Sequence, residues 1–230
     1  MPNTPPLQII ARIYSDFPTK FGIPRQSGLI DTLKAKIIFE PEYRNPDALR
    51  GLEGYSHLWL IWQFSQAIRE KWSPTVRPPR LGGNLRMGVF ATRSPFRPNP
   101  IGLSCVRLER IILKGEDGPV LYISGADLMS GSPIYDIKPY LPYTDSHPDA
   151  AGGFASQNQE ISLQVHISKE LLDRVAPEQR EPLLAVLAHD PRPAYQSSPD
   201  RIYGMEYAEY EIRFSVEGEL LTVLDVYIKK

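Results

Sequence analysis

The sequence predicts a mainly β protein: a compact β-barrel domain followed by a small α+β domain. Three observations carry that expectation. Proline supplies 23 of 230 residues, about twice the roughly 5% usual share, and so many prolines break helices and favour strands, turns and stiff loops. Short apolar runs bounded by Gly and Pro recur along the first 140 residues with almost no helical period, the texture of a closed or nearly closed barrel. Beyond residue 160 the texture changes to a strand, two helical stretches and a hairpin.

Taken in order, Leu7–Tyr14 (LQIIARIY) and Leu33–Glu40 (LKAKIIFE) read as strands rich in apolar and β-branched residues. Asn45–Leu52 is a short helical or turn segment with an Asn cap. His57–Phe64 (HLWLIWQF) is a near-continuous apolar run of strand rather than helix length. Met87–Thr92 follows a basic loop and reads as a strand. Ser104–Leu113 alternates as a half-buried strand with a bulge after Glu109. Lys114–Pro119 is a turn, Val120–Ala126 the returning strand, and Pro133–Ile137 another short one. Leu141–Glu160 has little periodicity and reads as a loop-like bridge. Ile161–Ile167 is a strand. Ser168–Val175 and Pro177–Ala188 are helical, the second with Pro in a tolerated first-turn position. Tyr203–Val216 and Leu220–Ile228 flank Glu217–Gly218 as a hairpin. The expected boundary lies between domains 1–145 and 146–230.

Composition narrows the function. With 42% hydrophobic and 23% charged residues the chain is expected to fold rather than stay disordered. No apolar stretch approaches the ~18 residues of a membrane span. The N-terminus lacks the ordered features of a secretory signal, so a cytoplasmic protein is expected. A single Cys, Cys105, makes no internal disulfide, and one Cys with four scattered His makes no zinc pattern, so no metal site is expected.

The net charge of −1 hides an asymmetry. Residues 1–115 carry 17 Lys/Arg and 8 Asp/Glu, whereas residues 116–230 carry 9 and 19. Between Arg69 and Arg110 stand nine basic residues, eight of them Arg, against only Glu70 and Glu109. Arg pairs bidentately with phosphate and stacks on bases. The region therefore points to an anionic partner, the alternative being a basic surface answered by the acidic half of the chain.

Common enzyme signatures are missing: no G-x-G-x-x-G after a strand, no P-loop, no nucleophile elbow. What stands out is four polar loops: PRQSG at 24–28, RPPRLGGN at 77–84, TRSPFRPNPIGLS at 92–104, and DLMSGSPIYDIKPY at 127–140. Gly and Pro mark turns everywhere. Together with Arg, Asn, Asp, Lys and Phe they suit a preorganised binding surface.

These runs, with RGLEGYSHLWL and DPRPAY, closely resemble the TrmO (YaeB/TsaA-like, UPF0066) family of S-adenosylmethionine-dependent tRNA methyltransferases, most closely over 24–143 and again at 190–195. The resemblance implies N6-methylation of threonylcarbamoyl-adenosine, the tRNA base just 3′ of the anticodon (position 37). It also implies a β-barrel catalytic domain unlike the Rossmann type, S-adenosyl-L-methionine as cofactor, the tRNA anticodon stem-loop as partner, and a homodimer. The family pattern places cofactor contacts at Gln26, Ser27 and Gly28, at Ser65 and Gln66, at Arg93, at Leu103, and at Asp127, Leu128 and Met129. In the reaction, Asp136 is the first candidate for base or hydrogen-bond acceptor, Lys138 for neutralising the threonyl carboxylate, and Tyr140 and Phe96 for stacking on the base. The alternative for Asp136–Lys138 is a structural ion pair. Arg77, Arg80, Arg86 and Arg97 are expected to contact phosphates or stack. Asn99 is expected to bond a base or fix its loop. Arg192 and Tyr195 complete the site from the second domain, within one chain or across a dimer. Two rivals stand beside this reading: a nonenzymatic RNA-binding barrel, which would not bind the cofactor, and a small-metabolite methyltransferase, which would show no salt-dependent tRNA affinity.

Overall fold

A computed structural model describes residues 6–78, 85–157, 162–192 and 201–229. The strands are β1 (Ala11–Ser15), β2 (Lys34–Phe39), β3 (His57–Gln63), β4 (Thr75–Val76), β5 (Met87–Gly88), β6 (Ile101–Ile112), β7 (Val120–Ser124) and β8 (Pro133–Pro139), then β9 (Gln164–His166), β10 (Tyr203–Tyr207), β11 (Tyr210–Glu217) and β12 (Leu220–Ile228). The helices are α1 (Pro142–Asp145), α2 (Lys169–Leu172) and α3 (Pro177–Ala188).

Six strands close a barrel in the order β1-β2-β7-β6-β3-β8. Period-two alternation builds it. Ala35, Ile37 and Phe39 of β2 point inward, as do Leu58, Leu60 and Trp62 of β3; all six are buried. The intervening His57, Trp59 and Ile61 face outward. Closure is short: Ala11 pairs with Ile134 and Arg12 with Pro133. It is extended by Gly131 N–H donating to the Ile13 carbonyl at 2.7 Å.

Two bulges set which side chains face out. In β6 the register shifts between Leu108 and Arg110, which places the expected bulge at Glu109. In β8 the register shifts across Tyr135: Trp62 pairs with Ile134, yet Ile61 pairs with Asp136. That extra residue reverses the alternation. Ile134 and Ile137 face the core side, opposite Trp62 and Leu60, while Asp136 and Lys138 join Ile61 and Trp59 on the outer surface.

Several expectations are corrected. Met87–Thr92 is not one strand: only Met87–Gly88 pairs, with Thr75–Val76, and Val89–Ala91 coils into a 3₁₀ turn that buries Val89. Tyr203–Val216 divides into β10 and β11 at a tight turn, where Ala208 takes φ 50° and donates its N–H to the Asp16 carbonyl at 2.6 Å. The 141–160 bridge holds α1 and a 3₁₀ turn over Gly153–Gln157. β6 begins at Ile101, because pairing with Gln63 extends it.

The C-terminal sheet runs β10-β11-β12-β9, with β9 parallel to β12. Its core takes Leu183, Val186 and Leu187 from α3, and reaches back to Phe17, Ile30 and Leu33 in the β1–β2 connection. A polar knot fastens that seam. The Asp16 carboxylate accepts from the Tyr207 hydroxyl at 3.3 Å and from Gln179 Nε2 at 3.3 Å. Burial raises the Asp16 pKa above 3.8 despite these donors, and burial with the facing carboxylate also pushes the Tyr207 hydroxyl upward. A carboxyl that holds its proton more tightly when folded contributes stability that is lost as pH rises from 3.8 through its native pKa. Asp16→Asn is expected to flatten the melting temperature over that interval. An unchanged pH profile would remove Asp16 from the linkage.

Candidate active site

The barrel is incomplete on one edge, and the site grows from that gap. β6 pairs with β3 over Ile101–Arg107 but reaches β7 only from Arg107 onward. Even-numbered residues there turn their N–H toward β3: Leu108 donates to the Ser56 carbonyl at 2.8 Å. Odd-numbered residues turn away. Cys105 N–H finds Ser27 Oγ at 3.0 Å, and the same parity leaves the N–H and C=O of Leu103 along the open edge.

The 24–28 loop and the turn after β7 flank this gap, joined by Gly28 N–H donating to the Gly125 carbonyl at 2.9 Å. Both glycines have positive φ, 76° and 75°. A Cβ at Gly28 or Gly131 would meet nothing within 4 Å, so both backbones stand open to a ligand.

Asp127 is the chemical centre of the gap. Its Oδ1 accepts from Ser104 Oγ at 2.6 Å, and Ser104 in turn accepts from the buried Trp62 indole N–H at 2.9 Å. Burial raises the Asp127 pKa, opposed by Ser104, by the Ser27 backbone and by the nearby Arg93 charge. It is a partly dehydrated carboxylate whose anionic form a cationic ligand group would favour. Arg93 Nη1 donates to Gln26 Oε1, which ties the third loop to the first. Gln26, Ser27, Gly28, Arg93, Leu103 and Asp127 therefore converge. Leu128 is fully buried in the barrel core and its carbonyl accepts from Ser15 Oγ at 2.9 Å; its backbone N–H and Met129 follow Asp127 in the same turn. Ser65 and Gln66 are exposed in the 3₁₀ turn that ends β3.

A basic groove of about 1860 Å³ adjoins this cleft and shares Gln26 and Arg93 with it. Among the described residues, eight Lys/Arg side chains line it against the one carboxylate of Glu70. Neutral acceptors hold several of the cations, so their charge is undiminished. Arg86 donates to Thr75 Oγ1 at 3.2 Å and Arg97 to the Thr92 carbonyl at 3.2 Å. Arg69 lies 3.7 Å over the Phe96 ring, covering one face and leaving Phe96 38% exposed. Arg77 lines the wall. Asn99 is exposed, and its carbonyl accepts the Ile101 N–H at 2.7 Å where β6 begins. Arg192 lines the groove of its own chain, but a two-point pairing with Asp190 at 2.8 and 2.9 Å answers its charge. Arg80 and Tyr195 lie outside the described residues.

Asp136, Lys138 and Tyr140 stand apart from that convergence. Asp136 pairs across β3 with Ile61, and Ile61 with Leu103. Two strand spacings, about 10 Å, therefore separate Asp136 from the open edge. Asp136 Oδ2 holds Lys138 Nζ at 2.8 Å, and Oδ1 accepts the Ile137 N–H at 2.9 Å. Tyr140 packs against His57 and Trp59 with ring centroids 6.2 and 5.8 Å away.

Sequence reasoning missed Trp62, Ser104 and Asp145. The first two orient Asp127. Asp145 accepts from the Trp59 indole at 2.8 Å and from Leu141 N–H at 3.0 Å, pinning α1 to the outer face; those donors lower its pKa. Gly102 stands directly opposite Trp62, a pairing that only the strand register shows.

Fold and site together define a β-barrel protein with a basic groove that opens onto a small polar cleft. Residues 12–146 match the model of the tRNA-methyltransferase O N-terminal domain, and residues 160–229 that of the TrmO C-terminal domain. The chain belongs to the TrmO family. It is 42% identical to the Escherichia coli tRNA (adenine(37)-N6)-methyltransferase, over 90% of this chain and 91% of that one. It is 41% identical to a Pseudomonas aeruginosa protein named as a candidate S-adenosylmethionine-dependent methyltransferase, RcsF, over 94% and 95%. A TrmO crystal structure from Pseudomonas aeruginosa superposes with a TM-score of 0.76 at 34% identity, covering 98% of this chain and all of the other.

Proposed function

We propose that the chain is a tRNA (adenine(37)-N6)-methyltransferase that acts on threonylcarbamoyl-adenosine with S-adenosyl-L-methionine as methyl donor. The observation that carries this reading is the junction of the basic groove with the polar cleft at Gln26 and Arg93. Family membership narrows the anion to tRNA. The residues present fit the donor. Asp127 suits its ammonium or ribose hydroxyls, Arg93 its carboxylate, and the Leu103 edge its adenine. Gly28 and Gly131 leave room for close approach.

The donor's sulfonium supplies an activated methyl group. The protein's share is to position N6 in line, at about 3–3.5 Å, and to remove its proton. Asp136 takes that proton through a relay of waters, or from the cleft of the second protomer in the homodimer, because about 10 Å separates it from the open edge of its own chain. Lys138 keeps two N–H bonds beyond its contact with Asp136 and directs them at the threonyl carboxylate. Tyr140 and the open face of Phe96 stack on the base, and the groove arginines hold the anticodon-loop phosphates. The two-domain division at 145/146, a homodimer and a cytoplasmic location belong to the same reading. The exposed Leu103 and the outward Trp59 and Ile61 support a covered face there.

The deciding experiment is methylation of tRNA bearing threonylcarbamoyl-adenosine beside tRNA bearing plain adenosine. Transfer to the first and not the second is expected; equal transfer, or none, refutes the substrate. Ser104→Ala removes a donor to a charged acceptor. By the ~1.5–3 kcal/mol of such bonds it is expected to weaken donor binding by roughly 10-fold or more in calorimetry. Wild-type affinity would detach Asp127 from the donor.

A further inference from the structure

The groove carries an aromatic feature that the reaction outlined above does not use. Trp72 is 54% exposed and Phe90 73%, and they lie side by side with centroids 6.3 Å apart and planes 28° from parallel. Both line the basic groove. Neither ring belongs to either apolar core.

The polypeptide around them is nevertheless well fixed. β4 and β5 pair as a two-stranded ribbon, and Val89 N–H donates to the Pro74 carbonyl at 2.9 Å. Ser73 Oγ donates to the Thr75 carbonyl at 2.8 Å. Buried Val89 anchors the 3₁₀ turn that carries Phe90. Two large, mostly exposed rings are thus held in place, which is the preorganisation that a stacking partner exploits. Around them stand Arg77 and Arg86, with Glu70 as the only lining carboxylate among the described residues. Flat apolar faces inside a cationic groove match one chemistry: an unpaired base on a phosphate backbone.

We infer that Trp72, backed by Phe90, is the stacking platform for an anticodon-loop nucleotide beside the target adenine, and so a substrate-positioning element. This rests on the tRNA reading above. Stacking here anchors the loop while the target base turns toward the Arg93–Asp127 cleft. The energy enters in substrate binding, before chemistry.

The test uses the full chain and threonylcarbamoyl-adenosine tRNA. Trp72→Ala is expected to raise KM for tRNA roughly 10-fold, the scale of one lost base–aromatic stack, with kcat nearly unchanged. Trp72→Phe should recover most of the loss. A free anticodon stem-loop should quench tryptophan emission clearly more in the wild type than in Trp72→Phe, whose remaining tryptophans are the buried Trp62 and Trp59 beside Tyr140. Unchanged KM in Trp72→Ala, or equal quenching by polyglutamate, overturns the platform. A wild-type protein that fails to methylate tRNA overturns the functional reading instead, so the two failures are separable.

Discussion

Asp136→Asn is expected to lower kcat by about 10²–10⁴-fold while the protein stays folded and still binds tRNA. The substitution keeps the shape and an oxygen to accept the Ile137 N–H. It removes the role proposed for Asp136 in transfer, acceptance of the N6 proton. Stability should barely change: the Asp136–Lys138 pair is solvent-exposed, and such pairs contribute little. Single-turnover methylation separates the step from product release. Near-normal turnover would return Asp136 and Lys138 to a structural ion pair and send the search for a base elsewhere. The bulge at Tyr135 supplies a companion experiment. Deleting that extra residue leaves Ile134 opposite Trp62 and Asp136 opposite Ile61 in plain alternation, so the carboxylate should stay outward and the barrel should still close.

Gly102→Ala is the second large effect, this time on stability. A Cβ at Gly102 would stand 2.3 Å from Cε2 of Trp62, far inside contact distance. The indole cannot withdraw easily: Phe64 packs on it at 4.2 Å and its N–H is committed to Ser104. Overpacking of this kind costs about 1–3 kcal/mol, and the upper end is expected here, a melting-point fall of roughly 6–12 °C. The damage should also reach the cleft, because moving Trp62 disturbs Ser104 and through it Asp127. Adding Trp62→Leu to Gly102→Ala should recover part of the stability, as a coupled pair must. Additive losses in the double variant would show that the clash is absorbed elsewhere.

The two experiments touch different levels of the molecule. The strands of the barrel were legible because their signals are local. LKAKIIF was marked by its β-branched residues, HLWLIWQ by a near-continuous apolar run of strand length, and 104–113 by alternation that breaks at the Glu109 bulge. The bulge at Tyr135 was not legible. PIYDIKP alternates plausibly either way, and only pairing with β3 decides which parity holds. The ribbon of β4 and β5 was missed for a related reason: two-residue strands are too short to have a period, and their partners are eleven and thirteen residues apart. The site divided in the same manner. The polar loops stood out by composition, while the Trp62–Ser104–Asp127 chain joins residues far apart in sequence.

What the sequence determined by itself was the class of fold, the order of its elements, the basic character of residues 69–110 and the family. Each is a property of composition, local period or contiguous motif. Only the tertiary structure decided that β6 parts from β7 to leave an open edge, that Arg192 lines the basic groove, that Asp136 faces outward, and that Trp72 and Phe90 lie together on the groove wall. Those facts depend on which strands pair and in what register. Register is set by packing over the whole barrel at once, and no short stretch of chain contains it.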